Sequence, residues 1–270
     1  MAGDPPDIRV MSFNILKALS DRQAGAWNTR KRSVAMAIWA YGPDLLGAQE
    51  VRSFQARFLR DQLREYGFVS AGRDEGPFAG ESVAIFFRSD RFERLAAGHF
   101  WLSKTPDVPG SKNWGAVVPR IVLWVRLGDR RAGGRELLLL NTHFDPLSWR
   151  ARMRSVWVLR RQIVRLAGSA GTIVTGDFNT QAGRKTYQTV LSGMCDGGLE
   201  LADAYRSVHP AKARYEGTWH GPTGRRARRR IDWILHTPHF AAAAADIDRN
   251  RRNGRFPSDH FPVTATLTWR

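Results

Sequence analysis

Residues 172–179 read TIVTGDFN, a run of apolar and β-branched residues that ends in acidic and amide side chains. The run predicts a β-strand. Because alternate residues of an extended segment face the same side, Asp177 and Asn179 are expected to point together. This stretch therefore predicts a strand that presents chemically active side chains at its end.

The same pattern recurs elsewhere, since polar side chains follow several other apolar runs. Strand ends are where rigid backbone meets solvent, so side chains from several strands can converge there. Each such residue alone also fits a helix cap, a turn or a buried histidine, but their repetition favours a shared site. The residues concerned are Asn14, Glu50, His143 with Asp145, Asp177 with Asn179, Asp232, and Asp259 with His260.

Strands and helices are predicted to alternate in the first half of the chain, and strands dominate elsewhere. This order is typical of a layered α/β fold. No linker or low-complexity run divides the chain, so residues 1–270 are expected to form a single domain, with residues 1–7 flexible. The predicted strands span residues 8–15, 44–51, 68–71, 82–88, 121–127, 137–143, 172–179, 231–236 and 263–269, and the predicted helices span 27–41, 54–66, 149–167 and 186–191.

The composition limits the possible classes of protein. The chain has 270 residues, of which 43% are hydrophobic, enough for a sizeable core. Its single cysteine, Cys195, excludes an intrachain disulfide and a cysteine-based zinc site. The N-terminus lacks the pattern of a signal peptide, and no apolar run approaches the length of about 20 residues that spans a membrane. A cytoplasmic location and no membrane partner are therefore expected. The sequence does not indicate an oligomeric state, and a monomer is taken as the default.

The formal net charge of +17 allows two explanations. A chain this basic is suited to polyanionic partners, nucleic acid first. However, only six of the 42 basic residues are lysine, and such a preference for arginine also fits a GC-rich genome. The composition alone does not separate the two explanations.

The polar residues at the strand ends favour a particular kind of metal. Carboxylate and amide oxygens without thiolates suit magnesium or manganese better than zinc. A cation held by one or two carboxylates keeps open positions for a phosphate oxygen. Mg²⁺ (or Mn²⁺) is therefore the expected cofactor.

Six short blocks, MSFNI, AQE, NTHFD, GDFN, RIDWI and SDHFPV in that order, resemble the signature blocks of the endonuclease/exonuclease/phosphatase superfamily. The resemblance covers residues 9–267, and GDFN and SDHFPV are its most specific blocks. It implies a compact bacterial, deoxyribonuclease-like member with a four-layer α/β sandwich, in which two packed mixed β-sheets are flanked by helices. It also implies a divalent-metal-dependent hydrolase of phosphoric esters.

The resemblance implies roles for the matched positions. Glu50 resembles the main metal-binding glutamate, with Asn14 beside it, and Asp259 resembles a second metal-site carboxylate. His260 resembles a histidine that acts as general base or contacts the scissile phosphate, and Asp232 resembles the carboxylate that orients it. Such a carboxylate fixes the imidazole tautomer and raises its basicity.

Further matched positions complete the implied site. Asp177 and Asn179 match a pair that positions the nucleophile and stabilises the transition state. His143, in an NTH-type block, resembles a histidine that contacts phosphate or the leaving oxygen, and the blocks typical of abasic-site endonucleases and inositol-polyphosphate phosphatases are absent. Glu81 is the candidate partner of His143, although it also fits a surface glutamate. Arg120 resembles an arginine that supports the site.

Two arginine clusters lie close to the matched blocks. The first, at residues 225–230, leads into the strand that carries Asp232, and the second, at residues 251–255, precedes Asp259. Positive charge there could grip phosphates, and Trp219 and His220 could stack a base. A solvated, arginine-rich loop explains the same pattern. The candidate substrate-binding residues are Arg120, Arg226, Arg229 and Trp219.

Together these observations predict a metal-dependent phosphoesterase that hydrolyses a phosphodiester bond, with nucleic acid as the first candidate substrate. A phosphatase or phosphodiesterase acting on a small phosphorylated metabolite or nucleotide is the alternative. A binding protein that has lost catalysis is disfavoured, because no matched catalytic position is replaced.

Overall fold

The computed structural model describes residues 7–18, 25–74, 80–192, 198–221, 224 and 229–270. Two six-stranded β-sheets pack face to face, and helices cover their outer surfaces. This arrangement confirms the predicted four-layer α/β sandwich. Residues 1–6, expected to be flexible, and Cys195 lie outside the described residues. The carboxylate of Asp7 accepts a hydrogen bond of 2.7 Å from Thr268.

The elements are numbered in chain order. They are β1 (Ile8–Asn14), α1 (Gly25–Tyr41), β2 (Leu45–Val51), α2 (Ser53–Gln62), β3 (Tyr66–Gly72), β4 (Ser82–Arg88), β5 (Phe92–Trp101), β6 (Ile121–Asp129), a 3₁₀ turn (Arg130–Ala132), β7 (Arg135–His143), α3 (Trp149–Ala167), β8 (Gly171–Asp177), α4 (Lys185–Leu191), β9 (Ala202–Asp203), α5 (Ala204–Val208), β10 (Asp232–His236), β11 (Phe240–Ile247) and β12 (Val263–Trp269). Among these described elements, no helix is long and apolar enough to cross a membrane.

The strand order is β11-β12-β1-β2-β4-β3 in the first sheet and β5-β6-β7-β8-β10-β9 in the second. Each sheet has a central parallel pair, β1 with β2 and β7 with β8. Parallel neighbours require a crossover connection, and α1 and α3 provide the two crossovers. Since parallel strands end at the same edge, this topology brings the ends of β1 and β2 together, and likewise those of β7 and β8.

Three apolar layers hold the sandwich together. Strand residues such as Val10 and Leu139 fill the layer between the sheets. On the outer face of the second sheet, α3 contributes Val156, Leu159 and Ile163, which follow helical spacing. The helices α1 and α2 cover the outer face of the first sheet in the same way. Burial on both faces explains why the central strands are nearly continuous apolar runs.

A buried polar bridge also joins the two sheets, close to the ends of the central strands. The Asn141 side-chain oxygen accepts hydrogen bonds from Gln49 Nε2 at 2.7 Å and from Thr175 Oγ1 at 3.2 Å. The sheets approach closely there, because a Cβ atom placed on Gly47 would lie 2.0 Å from Thr175 Oγ1. Glycine is therefore required at position 47 for this approach.

Most predicted elements are confirmed, with differences at their ends. The predicted strands 82–88 and 263–269 and the predicted helix 149–167 agree with β4, β12 and α3. The predicted helix 54–66 ends earlier, at Gln62, because β3 already begins at Tyr66. Two long strands were not predicted, β5 and β11. The sequence of β11, FAAAAADI, is rich in alanine, which favours helices, so pairing with β12 decides its conformation.

Candidate active site

A pocket of about 830 Å³ lies at the sheet edge where the central strands end. Its walls come from both sheets and from the segments that follow them. Asn14 and Asp232 lie directly behind it, in contact with residues of its wall. The predicted site residues that line the pocket are Glu50, Glu81, Arg120, His143, Asp177, Asn179, Trp219, Arg229, Asp259 and His260.

Asn14 connects the acidic residues of the two sheets. Its buried Nδ2 atom lies 3.1 Å from Glu50 Oε1 and 3.1 Å from Asp177 Oδ2 and donates to both. Glu50 adopts the left-handed backbone region, with φ of 59°, which is costly for a residue with a Cβ and is typical of functional positions. The two carboxylates are thus held at a fixed spacing by one amide group.

His260 lies between two buried aspartates. Its Nδ1 is 2.9 Å from Asp232 Oδ2, and its Nε2 is 3.8 Å from Asp177 Oδ2. Burial alone would lower the pKa of His260, but the charges of Asp232, Asp177 and Asp259 and the hydrogen bond to Asp232 outweigh burial and raise it to about 10. The imidazole of the metal-free protein is therefore protonated at neutral pH.

We expect this imidazole to make the stability of the metal-free protein depend on pH. Because the pKa of His260 is raised on folding, protonated His260 stabilises the folded protein. This contribution to stability is fully present below about pH 6.5, the pKa of a histidine in the unfolded chain. The contribution is lost as the pH rises through about 10. In thermal unfolding with a chelator present, the Tm should fall as the pH rises from about 6.5 to about 10. In His260→Gln the Tm should depend less on pH over the same range. The same pH dependence in both proteins would contradict the assignment.

Glu81 is surrounded by three cationic side chains and a histidine. Its carboxylate lies 2.8 Å from Lys17 Nζ, 3.2 Å from Arg73, 3.6 Å from Arg120 and 3.4 Å from His143 Nδ1. Burial alone would raise the pKa of Glu81, but the interactions with His143, Arg73 and Lys17 outweigh it and hold the pKa well below the usual range. Glu81 is thus a buried anion that contacts His143, rather than a surface glutamate.

His143 in turn faces the acidic centre of the pocket. Its Nε2 lies 3.4 Å from Asp177 Oδ2, and it pairs with Asp177 across the parallel strands β7 and β8. Asn179 also lines the pocket, with φ of 48°, and its side chain donates to the Phe144 carbonyl at 2.9 Å. Strand β8 ends at Asp177, so a turn, rather than strand alternation, places Asn179 there.

The segment around Asp259 closes the pocket from the C-terminal side. Ser258 Oγ donates to the Asn14 carbonyl at 2.7 Å and lies 3.3 Å from Asp259 Oδ1. Trp219 forms an isolated β-bridge with His260, which attaches the rim of the pocket to the same segment. Asp259 is therefore fixed beside the end of β1.

The donor set fits a divalent cation. Among the described residues, Asp177, Asp232 and His260 form a group whose ligand atoms lie within 4.8 Å of one another. Asp232 Oδ1 is buried and has no hydrogen-bond partner. Asp232 Oδ2 contacts His260 Nδ1, so Oδ1 is the oxygen of Asp232 that a hard cation could contact.

Several sequence-based expectations require correction. His220 does not stack a base, because it is buried with its ring centroid 4.0 Å from that of Phe261. Asp145 does not join His143 in the pocket wall, since its carboxylate accepts backbone hydrogen bonds from Leu147 and Ser148. The second arginine cluster, residues 251–255, does not contribute to the lining of the pocket. Arg226 lies outside the described residues.

Sequence reasoning missed one side of the pocket. The start of α3 and the start of α4 face the acidic centre with cationic and aromatic side chains. These helices follow β7 and β8 directly, so their first turns could have been expected near the same edge. The residues concerned are Trp149, Arg152, Met153, Arg184 and Lys185, and Lys17 lines the pocket from the first sheet.

Comparison with known proteins places this site in a family. The model of the Endonuclease/Exonuclease/phosphatase family matches residues 11–260. The chain belongs to this family. Members of the family are divalent-metal-dependent hydrolases of phosphate esters, which agrees with the acidic, cation-compatible centre described above.

Solved structures of family members resemble the chain over its whole length. An endonuclease/exonuclease/phosphatase from Bacteroides vulgatus is 32% identical, with a TM-score of 0.87 over 98% of this chain and 99% of that one. A mannosyl-6-phosphatase from Bacteroides thetaiotaomicron is also 32% identical, with a TM-score of 0.86 over 97% of this chain and 100% of that one. Nocturnin from Rattus norvegicus is 25% identical over 95% of this chain, which spans 63% of the length of that relative.

Proposed function

We propose that this family member is a divalent-metal-dependent hydrolase of phosphate monoesters, with a small phosphorylated molecule as substrate. The observation that carries the proposal is the size of the pocket. Its volume of about 830 Å³ lies within the range of about 300–1,000 Å³ typical of small-ligand sites. Arg152, Arg184 and Lys185 stand opposite the acidic centre and can hold the anionic groups of the substrate.

Similarity to characterised members supports the same substrate class. The Bacteroides thetaiotaomicron protein named a mannosyl-6-phosphatase aligns with 97% of this chain and with 100% of its own chain. Fold alone does not specify a substrate, so the pocket carries the proposal and the relative supports it.

We assign the cation, magnesium or manganese, to Glu50 and Asp259, with Asn14 and Asp177 beside them. Oxygen donors of this kind suit either ion. When bound, the cation neutralises the negative charge that develops on the phosphate during hydrolysis.

The residues of the chain then divide the remaining work. Asp177 and Asn179 position the attacking water, and His143, held by Glu81, steadies the phosphate or the leaving oxygen. His260, oriented by Asp232, takes a proton from the water. Nearby carboxylates raise the pKa of His260 to about 10, so the imidazole is protonated and cannot act as a base. Positive charge close to these carboxylates would lower the pKa of His260 again and allow it to accept a proton.

Phosphate release from sugar phosphates and nucleotides in magnesium, in manganese and in a chelator tests this function. We expect metal-dependent release that Asp177→Ala abolishes, while labelled oligonucleotides stay intact. Asp107→Ala is the matched control, since Asp107 is 78% exposed and lies outside the pocket. Phosphate release that persists in Asp177→Ala would contradict the assignment, as would release in the chelator.

Nuclease activity is the second candidate, and the rim of the pocket favours it. Trp219 is 45% exposed and Arg229 is exposed beside it, so the two could stack a base and hold a backbone phosphate. The net charge of +17 is compatible with this substrate. Metal-dependent oligonucleotide cleavage, with binding that weakens steeply as salt rises, would favour the nuclease over the phosphatase.

A further inference from the structure

A second cavity, of about 900 Å³, adjoins the candidate active site along α3. The indoles of Trp114, Trp149 and Trp157 line it, and we call it the tryptophan groove. Trp149, Met153 and Lys185 line both cavities, so the groove and the pocket lie side by side and share these three side chains. A molecule whose phosphate occupies the pocket can therefore extend into the groove.

The groove is lined by a face of α3 that does not pack against the hydrophobic core. Trp149, Met153 and Trp157 are four residues apart along the helix and lie on one face. The core-facing side of α3 is built from other residues, including Val156 and Leu159. Trp149 is 63% exposed, although surface positions of a helix normally carry polar residues. An aromatic stripe outside the core points to a ligand.

The opposite wall of the groove is held in place before any ligand arrives. Trp114 adopts the left-handed region, with φ of 57°, which is strained for a bulky residue. Ser148 Oγ donates to the Trp114 carbonyl at 2.7 Å and also accepts from Ala151 N at 3.1 Å as the N-cap of α3. The loop that carries Trp114 is thus tied to the helix that carries the other two indoles, and the groove is preorganised.

The charge of the groove limits the chemistry of its ligand. Arg150, Arg154 and Lys185 contribute positive charge, and the Arg150 guanidinium lies 5.7 Å from the Trp149 ring centroid. No carboxylate or amide side chain is found among the described lining residues. Such acceptors commonly bind the hydroxyl groups of a sugar chain, and among the described lining side chains the hydroxyl groups of Ser148 and Thr189 are the acceptors that remain. A flat aromatic ring joined to anionic groups needs only stacking surfaces and cations, which the groove supplies.

We propose that the tryptophan groove is the subsite for the base of a nucleotide whose phosphate enters the candidate active site. The inference rests on the proposed function for the identity of the reacting group, and it names the part of the substrate that the pocket alone does not hold. The base stacks on the indoles of α3, and Lys185, at the junction of the two cavities, faces the anionic part of the same molecule.

Calorimetric titration with adenosine 5′-monophosphate and ribose 5-phosphate tests the subsite, since the two ligands differ by the base. The titrations use the full chain with Asp177→Asn in magnesium, so that no turnover is needed. We expect the nucleotide to bind at least about tenfold more tightly than the sugar phosphate. Trp157→Ala should remove most of this difference and Trp157→Phe should retain it. Trp39→Ala is the control, because Trp39 is 50% exposed and lies on α1.

Equal affinities for the two ligands would overturn the proposal, and so would a difference that Trp157→Ala leaves intact. Tighter binding of a phosphorylated mannose oligosaccharide, lost in Trp157→Ala, would assign the groove to a sugar chain instead and would overturn it too. Failure of the proposed function is a separate result. An absence of phosphate release from every ester would reject the hydrolase but leave the binding difference measurable.

Discussion

Replacing His260 with alanine is expected to lower kcat for phosphate ester hydrolysis by about 10²- to 10⁴-fold, the usual contribution of a positioned acid–base group. His260 Nδ1 lies 2.9 Å from Asp232, and its Nε2 faces the centre of the pocket beside Asp177. Without the imidazole, the attacking water keeps its proton until bulk solvent removes it. The measurement is kcat on the best ester of the panel, with saturating metal.

Two companion variants make the result specific to His260. Asp232→Asn keeps the shape of the orienting side chain but removes its charge, so kcat should also fall. His239→Ala should retain full activity, because His239 is exposed and lies beyond the far end of β10. A His260→Ala enzyme with kcat close to that of the wild type would reject the acid–base role.

Replacing Arg91 with methionine is expected to lower the free energy of unfolding by about 3–5 kcal/mol, the usual effect of breaking a buried ion pair. Arg91 is 1% exposed and Asp129 is fully buried, and two hydrogen bonds of 3.0 and 2.9 Å join them. The variant leaves the Asp129 carboxylate buried, with a single side-chain donor, Trp269 Nε1 at 3.1 Å. Urea unfolding of the full chain measures the loss.

The matched control is Arg130→Met, one residue from Asp129 in the chain. Arg130 is exposed and lies 3.6 Å from exposed Glu93, so its removal should change stability by less than about 1 kcal/mol. Asp129→Asn combined with Arg91→Met should recover part of the loss, because the uncompensated charge is gone. A loss below about 1 kcal/mol in Arg91→Met would show that the pair contributes little.

The central strands and the location of the site could be predicted from the sequence. The sequence itself shows that polar residues such as Asp177 and His143 follow apolar runs. Because parallel strands end at the same edge of a sheet, these residues are expected to lie close together. The resemblance of short blocks to a known family supplied the sandwich and the implied roles. Glu81 was a weaker expectation, and the structure brings it within 3.4 Å of His143.

Other features depend on contacts between distant segments. The bridge from Asn14 to Glu50 and Asp177 joins residues 36 and 163 positions apart, so no local pattern reveals it. The strand β5 escaped prediction because most of its central residues are not buried, which leaves no clear alternation along the strand. The cationic wall at Arg184 and Lys185 lies at the start of α4, whose distance from the acidic centre depends on how the second sheet packs.

The close approach of the two sheets at Gly47 means that the catalytic residues and the substrate-contacting residues are positioned by different parts of the fold. Gly47 is three residues before Glu50, and Thr175 is two residues before Asp177, so direct contact between the two sheets sets the gap between the carboxylates. Loops and helix starts, by contrast, form the rim that meets the substrate. Rim residues can therefore be exchanged, and substrate preference altered, while the hydrolytic geometry beneath them stays constant.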